Sequence, residues 1–182
     1  MPRYIALLRA INVGGHFIKM EALRGHFEAL GLDKVETFIN SGNVIFETRA
    51  AKTGSLEKKI EAALGLAMDY EVTTFIRSAA EFAGLAAYQP PFPPLADGGG
   101  LYVAFMQAPP EPAAHKNLAA LETEIDRFHI HEREVYWWRG SGYSDSPLSS
   151  SGRFEKLLGA RTTVRNATTV QKLAAKYPET AR

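Results

Sequence analysis

Two pairs of short segments, far apart in the chain, have matching residues, and this repetition constrains the fold more than any other feature. Residues 4–10 (YIALLRA) align with residues 102–108 (YVAFMQA), and residues 76–79 (IRSA) align with residues 164–167 (VRNA). Both matches keep their order and nearly the same separation, as a duplicated unit requires. The sequence therefore predicts an internal duplication. The alternative is that apolar strands resemble one another by chance.

Hydrophobic periodicity predicts the secondary structure of the first half. Residues 4–8 form a continuous apolar run, which is typical of a strand covered on both faces. A helix over residues 20–30 is expected next, because its apolar side chains recur at helical spacing. The remaining elements expected are strands over residues 35–39 and 44–48, a helix over 56–68, a strand over 71–76 and a helix over 79–87. This β-α-β-β-α-β order is that of the ferredoxin-like, or split βαβ, fold.

A segment rich in proline and glycine separates the two halves. Residues 89–100 (QPPFPPLADGGG) cannot continue a helix or a central strand, so we interpret them as a linker. The elements expected after it are a strand that starts at residue 102, a helix near 113–125, strands over 128–131 and 135–139, a helix near 152–158 and a strand over 162–165. The sequence thus predicts an α+β protein with two tandem ferredoxin-like subdomains, residues 1–88 and 101–182, joined by a Pro/Gly-rich linker.

Composition excludes several classes of function. The chain has no cysteine, so it can form no disulfide, thiolate metal site or cysteine nucleophile, which is compatible with a cytoplasmic location. Its N-terminal residues do not form a signal peptide, and no apolar run is long enough to span a bilayer. A net charge of +1 gives no general attraction to nucleic acid or membrane. Any anion binding must therefore come from a local arrangement.

Residues 9–20 (RAINVGGHFIKM) join the first strand to the first helix and form the main candidate site. Gly14 and Gly15 would let backbone N–H groups approach an anion, and Lys19 precedes the helix start, where phosphate is favoured. Arg9 and Asn12 could add a guanidinium and an amide. The segment contains neither GxxxxGK[ST] nor GxGxxG. The alternative is a glycine-rich turn in which the Asn12 side chain only stabilises the loop's own backbone.

Two further places carry candidate ligand-binding residues. Ser41 and Asn43 lie in the predicted hairpin turn, and the alternative there is a plain turn. Arg165 ends a predicted strand and Asn166 precedes a helix, which again gives a helix start that favours an anion. The alternative for Asn166 is a helix cap, and for the basic residues around it a solvated face.

Neither a metal site nor a catalytic group is predicted. His129 and His131 alternate along a strand and share one face, but zinc needs three or four protein ligands and no partner motif is present. The chain lacks GxSxG, and His16 is the titratable residue nearest to the first loop. We therefore expect no cofactor, and whether the protein is an enzyme stays open.

Three segments together resemble a bacterial family, the domain of unknown function 1697. They are YIALLRAINVGG with KMEALR, the hairpin TFINSGNVIFE, and TTVRNATTVQKLA. The resemblance implies an α+β protein of cytoplasmic type with two ferredoxin-like subdomains and no established activity. The family's characteristic positions fall on Arg9, Asn12, Gly14, Gly15, Lys19, Met20, Ser41, Gly42, Asn43, Arg165 and Asn166. The chain departs from the family pattern at Ala10 (usually glycine), Asn40 (often glutamine) and Ala167 (commonly aromatic).

The favoured hypothesis is that the protein binds a small anionic, phosphate-bearing metabolite or nucleotide in a cleft near the first loop. It requires Arg9, Lys19, Ser41 and Arg165 to gather around one hollow. One alternative is a module that binds single-stranded nucleic acid through strand aromatics, namely Tyr4, Phe38, Phe46, Tyr102 and Tyr136. Another is a protein-interaction module that pairs through exposed sheet edges. The oligomeric state is not predicted.

Overall fold

A computed structural model of the chain describes residues 1–12, 17–39, 42–50, 52–95, 97–140 and 152–179. It contains two four-stranded antiparallel sheets together with helices, a mixed α+β architecture. The chain divides into two compact units, one formed by Met1–Ala86 with Gln171–Arg182 and the other by Ala87–Val170. In the described part of the chain, none of the helices combines the length and the apolar character needed to cross a bilayer.

The first sheet has the strand order β2-β3-β1-β4. The elements of this half are β1 (Arg3–Leu8), α1 (Met20–Ala29), β2 (Asp33–Thr37), β3 (Asn43–Glu47), α2 (Thr53–Met68), β4 (Thr74–Ser78) and α3 (Ala79–Ala87). β1 lies in the centre between β3 and β4 and is buried on both faces, as its continuous apolar run predicts. One face packs Tyr4, Ala6 and Leu8 against apolar side chains of α1 and α2.

The second sheet has the strand order β6-β7-β5-β8. The elements of this half are β5 (Gly100–Phe105), α4 (Ala113–Ala119), β6 (Asp126–His131), β7 (Glu134–Arg139), α5 (Arg153–Leu158), β8 (Thr163–Asn166) and α6 (Ala167–Lys176). Its core is aromatic: the Trp137 ring stacks on Phe154 with centroids 5.5 Å apart and tilts against Phe128 at 5.4 Å.

The two sheets repeat one pairing register. β1 corresponds to β5, and β4 corresponds to β8. The equivalent pairs are Tyr4 with Ser78 and Ile5 with Arg77 in the first sheet, and Tyr102 with Asn166 and Val103 with Arg165 in the second. The sequence alignment matches the same residues between the halves: Tyr4 with Tyr102, Ile5 with Val103, Arg77 with Arg165 and Ser78 with Asn166. Similarity of the two halves therefore extends from strand order to individual residue pairs.

Carboxylates of α2 cover the outer edge of β4. Glu57 Oε1 accepts the backbone N–H of Ile76 at 2.8 Å, and Glu61 Oε1 accepts that of Thr74 at 2.8 Å. In the second half, Glu155 Oε1 accepts the backbone N–H of Thr162 at 2.7 Å. An edge strand otherwise presents unpaired donors to other chains, so α2 protects the edge of β4, and Glu155 of α5 makes a similar bond directly before β8.

The helices after β4 and β8 begin at side-chain caps. Ser78 and Glu81 form a capping box: the Glu81 N–H donates to Ser78 Oγ at 3.2 Å, and the Ser78 N–H donates to Glu81 Oε2 at 2.7 Å. At α6, the Thr168 N–H donates to Asn166 Oδ1 at 2.8 Å. Both caps satisfy backbone donors that the first helical turn leaves open.

Candidate functional site

The C-terminal end of β1 meets the turn of the β2–β3 hairpin. The Leu8 N–H donates to the Gly42 carbonyl at 2.8 Å. Gly42 has φ +68°, and a Cβ on it would lie 3.0 Å from Ile11 Cβ and 3.1 Å from Leu8 Cβ. This close approach brings two connections to one end of the first sheet. We call residues 9–19 the β1 loop and residues 38–42 the hairpin turn.

The segment before β4 reaches the same end of the sheet. The Arg9 N–H donates to the Thr73 carbonyl at 2.9 Å, so the first residue of the β1 loop is fixed on this side as well. The part of the sequence-predicted site that lies here comprises Arg9, Asn12, Lys19 and Asn43.

Asn12 closes the β1 loop on itself. Its Oδ1 accepts the backbone N–H of Ile18 at 2.9 Å, and its own backbone is left-handed, with φ +57°. Ile18 packs against the first core, whereas the side chain of Phe17 is 82% exposed. The described ends of the loop are therefore tethered by Asn12 and Ile18 and not by Phe17. Asn12 has the backbone-stabilising role that the sequence allowed as an alternative.

The β1 loop is cationic. Arg9 is half-buried at its start and Lys19 is exposed at its end, and residues 9–19 contain neither aspartate nor glutamate. Lys19 is the N-cap residue of α1, with an extended backbone and no side-chain cap bond. Its position beside the positive end of the helix dipole adds to the local preference for an anion.

Asn43 supports the hairpin turn from inside. Its side chain is 0% exposed, and Nδ2 donates to the Phe38 carbonyl at 3.0 Å. The Phe38 N–H in turn donates to the Asn43 carbonyl at 3.0 Å. This geometry matches the alternative of a plain turn. The predicted site residues Gly14, Gly15 and Ser41, with the titratable candidate His16, lie outside the described residues.

Arg165 and Asn166 belong to the second unit. Arg165 is 9% exposed, and its Nη1 donates to Thr163 Oγ1 at 2.8 Å and to the Val164 carbonyl at 2.9 Å. Burial lowers the pKa of this guanidinium to about 10. The Asn166 side chain caps α6, as the alternative for this residue required.

The second half makes the same two connections with fewer residues. β5 is joined to α4 by residues 106–112, and β6 is joined to β7 by residues 132–133. They meet through the Met106 N–H, which donates to the Arg133 carbonyl at 3.0 Å, the counterpart of the Leu8–Gly42 bond. The joining segment in the second half, MQAPPEP, has no glycine, arginine or lysine. Within the β-to-α connection itself, the greater length and the positive charge are therefore features of the first half alone.

Three of the strand aromatics proposed for nucleic-acid stacking are buried. Tyr4 and Phe46 are buried and stack on each other in the first core, with ring centroids 5.9 Å apart. Tyr136 is buried, and Phe38 and Tyr102 are half-buried. The Phe38 ring meets Tyr177 edge-on with centroids 6.2 Å apart. Tyr4, Phe46 and Tyr136 are therefore closed to base stacking, and binding of nucleic acid through the other aromatics stays a prediction.

His129 and His131 share one face of β6, as their spacing predicts, and both contact Tyr88. The Tyr88 and His131 rings stack with centroids 3.9 Å apart, and Tyr88 Oη lies 2.7 Å from His129 Nε2. Burial, then the neighbouring His131 and His115, lowers the pKa of His129. Across the described residues, no three or more His, Asp or Glu side chains are placed to hold a metal ion.

Of the cavities lined by described residues, two lie away from the β1 loop and the hairpin turn. One of about 420 Å³ is at the start of α2 and is lined by residues that include Lys52, Ser55 and Lys59. The other, of about 300 Å³, is bounded by residues that include Leu121 and Arg153. Neither is lined by a residue that the sequence singled out.

Comparison with known proteins shows the family. The family model described as "Protein of unknown function (DUF1697)" matches residues 1–136, and the chain belongs to that family. Among solved structures, the chain is similar to "conserved bacterial protein SP0830 from Streptococcus pneumoniae", at 23% identity with a TM-score of 0.68 over 96% of this chain and 97% of that one. That likeness shows a common fold. Among curated proteins, no match was found.

Proposed function

We propose that the protein binds a small anionic, phosphate-bearing metabolite or nucleotide at the β1 loop of the first unit. One observation carries this proposal: the two halves share strand order and register, yet their β-to-α connections differ. The first half uses residues 9–19 with two terminal cations, and the second uses the proline-rich residues 106–112. The second half connects the equivalent strand and helix with a shorter segment that has no arginine or lysine. The fold therefore does not require the length and charge of the β1 loop.

Each residue of the proposed site has a distinct role. Arg9 and Lys19 neutralise the anion, and Asn12 holds the loop closed through its bond to Ile18. Gly14 and Gly15 have no side chains to keep an anion away from their backbone N–H groups. These roles need neither a metal nor a cofactor.

The remaining predicted residues contribute differently. Ser41 adds a hydroxyl from the hairpin turn, while Asn43 supports that turn. Arg165 and Asn166 are proposed contacts on the sequence pattern, although the bonds described above already use part of their hydrogen-bonding capacity.

The fold supports a finer proposal. The strand order β2-β3-β1-β4 with crossing helices is what a split βαβ unit requires, and the second sheet repeats it. We propose two ferredoxin-like subdomains, residues 1–88 and 101–182, with residues 89–100 as the linker. Absence of cysteine supports a cytoplasmic location as part of the same proposal.

Ligand-dependent thermal shift tests the site. We expect inorganic pyrophosphate, or a member of a phosphate-ester panel, to raise the melting temperature, and Arg9→Ala or Lys19→Ala to weaken that binding at least tenfold. Lys58→Ala, which removes an exposed cation from α2, is the matched control and should leave binding unchanged. Stabilisation that survives both Arg9→Ala and Lys19→Ala would remove this site from consideration.

A further inference from the structure

We infer that the exposed face of α2 binds a second copy of the chain, with the two α2 helices antiparallel about a two-fold axis. This inference does not depend on the proposed function. It starts from Leu66, whose side chain is 90% exposed, the highest value for a large apolar side chain among the described residues. Leu66 lies within residues 62–68 (AALGLAM), which contain no charged residue.

The exposed residues of α2 form a continuous row along the helix. Five of them lie alternately four and three positions apart and form what we call the α2 seam: Ser55, Lys59, Ala62, Leu66 and the C-cap residue Asp69. This is the heptad spacing with which one helix packs along another. The opposite side of α2 is already occupied, because Ile60 and Leu64 are buried in the first core.

The charges of the seam indicate the direction in which two helices would pair. Lys59 lies in the N-terminal half of α2 and Asp69 at its C-terminal end, although a helix dipole favours acidic groups at its start and basic groups at its end. A two-fold axis level with residue 64 brings Lys59 opposite Asp69 of the second copy, and Leu66 opposite Ala62. A parallel pair would instead place Lys59 against Lys59, where like charges repel each other.

The side chains of the seam can make these contacts. Lys59 Nζ donates to the Leu30 carbonyl at 3.1 Å, which uses one of the three donors of an ammonium group. Asp69 donates its backbone N–H to the Gly65 carbonyl at 3.1 Å, and its side chain is exposed. The small side chain of Ala62 leaves room for a leucine from the facing helix. The pair thus has an apolar centre with an ion pair at each end.

The length of the seam limits the strength of the dimer. It runs from residue 55 to residue 69, about 21 Å of helix, and contacts of this small size are typical of transient complexes. The equivalent helix of the second half, α5, has six residues and is too short for such a row. We therefore expect a reversible dimer that forms at high protein concentration.

Sedimentation equilibrium of the full chain, at concentrations from about 10 µM to 1 mM, measures this association. The average mass should rise from that of one chain towards that of two, and not beyond. Leu66→Glu places a charge in the apolar centre of the seam and should raise the dissociation constant about tenfold or more. Ala67→Glu adds the same charge at the next exposed position, outside the seam, and is the matched control that should leave the association unchanged.

A charge swap tests the antiparallel register. Lys59→Glu sets two carboxylates opposite each other and should weaken the dimer, and Asp69→Lys in the same chain should restore the wild-type affinity. Urea denaturation of each variant verifies that it is folded.

The other outcomes would overturn the inference. If the mass stays that of one chain at every concentration, the α2 seam does not pair. If a dimer forms and persists in Leu66→Glu, another surface forms it. If the folded double variant stays as weak as Lys59→Glu, the antiparallel register is wrong.

Discussion

The carboxylate of Glu57 lies inside the protein and accepts the backbone N–H of Ile76 at 2.8 Å. The bond joins α2 to the outer edge of β4, whose other edge pairs with β1. A second carboxylate of α2, Glu61, accepts the N–H of Thr74, and the Glu155–Thr162 bond is its counterpart in the second half. A helix carboxylate that bonds the backbone at the start of the outer strand is thus a repeated element of the fold.

Replacing Glu57 tests how much this cover contributes to stability. Glu57→Ala leaves a buried N–H without its acceptor, so we expect a loss of about 2 kcal/mol in the free energy of unfolding. Glu57→Gln retains an acceptor and should lose less. Urea denaturation measures both, with Glu28→Ala on the exposed face of α1 as the control. Equal losses for the alanine and glutamine variants would show that the bond itself contributes nothing.

Gly42 tests the contact between the hairpin turn and the β1 loop. Its left-handed backbone and the nearby Ile11 and Leu8 side chains leave no room for a methyl group. Gly42→Ala should therefore destabilise the protein by about 2 kcal/mol or more, from backbone strain together with steric overlap. Gly31→Ala is the matched control, because Gly31 also has positive φ (+76°) but nothing lies within 4 Å of its added Cβ. The two variants should differ by the cost of the overlap, and equal losses would contradict the close approach.

Ala10 is a position where a substitution is expected to raise the stability of the protein. Its φ is +65°, a conformation that suits glycine. Ala10→Gly should stabilise the protein by up to about 1 kcal/mol, because release of backbone strain exceeds the added freedom of the unfolded chain. Ala62→Gly, in the middle of α2, is the control and should destabilise by about 1 kcal/mol. A loss of stability in both variants would contradict the strain at Ala10.

Glu47 makes stability depend on pH. The Lys34 ammonium at 3.0 Å and the Arg3 guanidinium at 3.1 Å hold the pKa of this buried carboxyl below its ordinary value of 4.5. Since the unfolded chain then takes up the proton first, the contribution of Glu47 is present above about pH 4.5 and is lost as the pH falls through the lower folded-state pKa. Urea midpoints measured from pH 6 to pH 3 should fall less steeply in Glu47→Gln than in the wild type. Parallel curves would contradict this role.

Much of the fold is predictable from the sequence because the pattern of apolar residues dominates it. The apolar run of β1 predicts a strand buried on both faces, and its match to β5 predicts a duplicated unit, which the equivalent residue pairs of the two sheets reflect. Element ends are less predictable where they depend on a partner. β4 begins at Thr74 and not at residue 71, because its partner β1 ends at the opposing Leu8.

Local side-chain bonds shorten α4. The helix ends at Ala119 and not near residue 125, and beyond it Thr123 Oγ1 accepts the N–H groups of Ile125 and Asp126 at 3.2 and 3.0 Å. A threonine that bonds neighbouring backbone in this way competes with helix formation. The amino-acid composition does not show whether the helix continues or the Thr123 side-chain bonds form instead.

The candidate site is only partly predictable from the sequence, because the same side chain can form alternative bonds. An asparagine in a loop can bind a ligand or the backbone, and Asn12, Asn43 and Asn166 each bond backbone groups. Exposure of Phe17 also has no sequence signal, since its apolar neighbour Ile18 packs inward. The short equivalent connection in the second half was available in the sequence as a clue, once the two halves were aligned element by element.

Amide chemical-shift mapping tests the central claim most directly. The isotope-labelled protein is titrated with inorganic pyrophosphate and with the nucleotide that binds most tightly. We expect the largest shifts on residues 9–19 and on Gly42, and we expect Arg9→Ala to remove them. Shifts confined to other places, such as Lys52, Ser55 and Lys59 around the cavity at the start of α2, would contradict it.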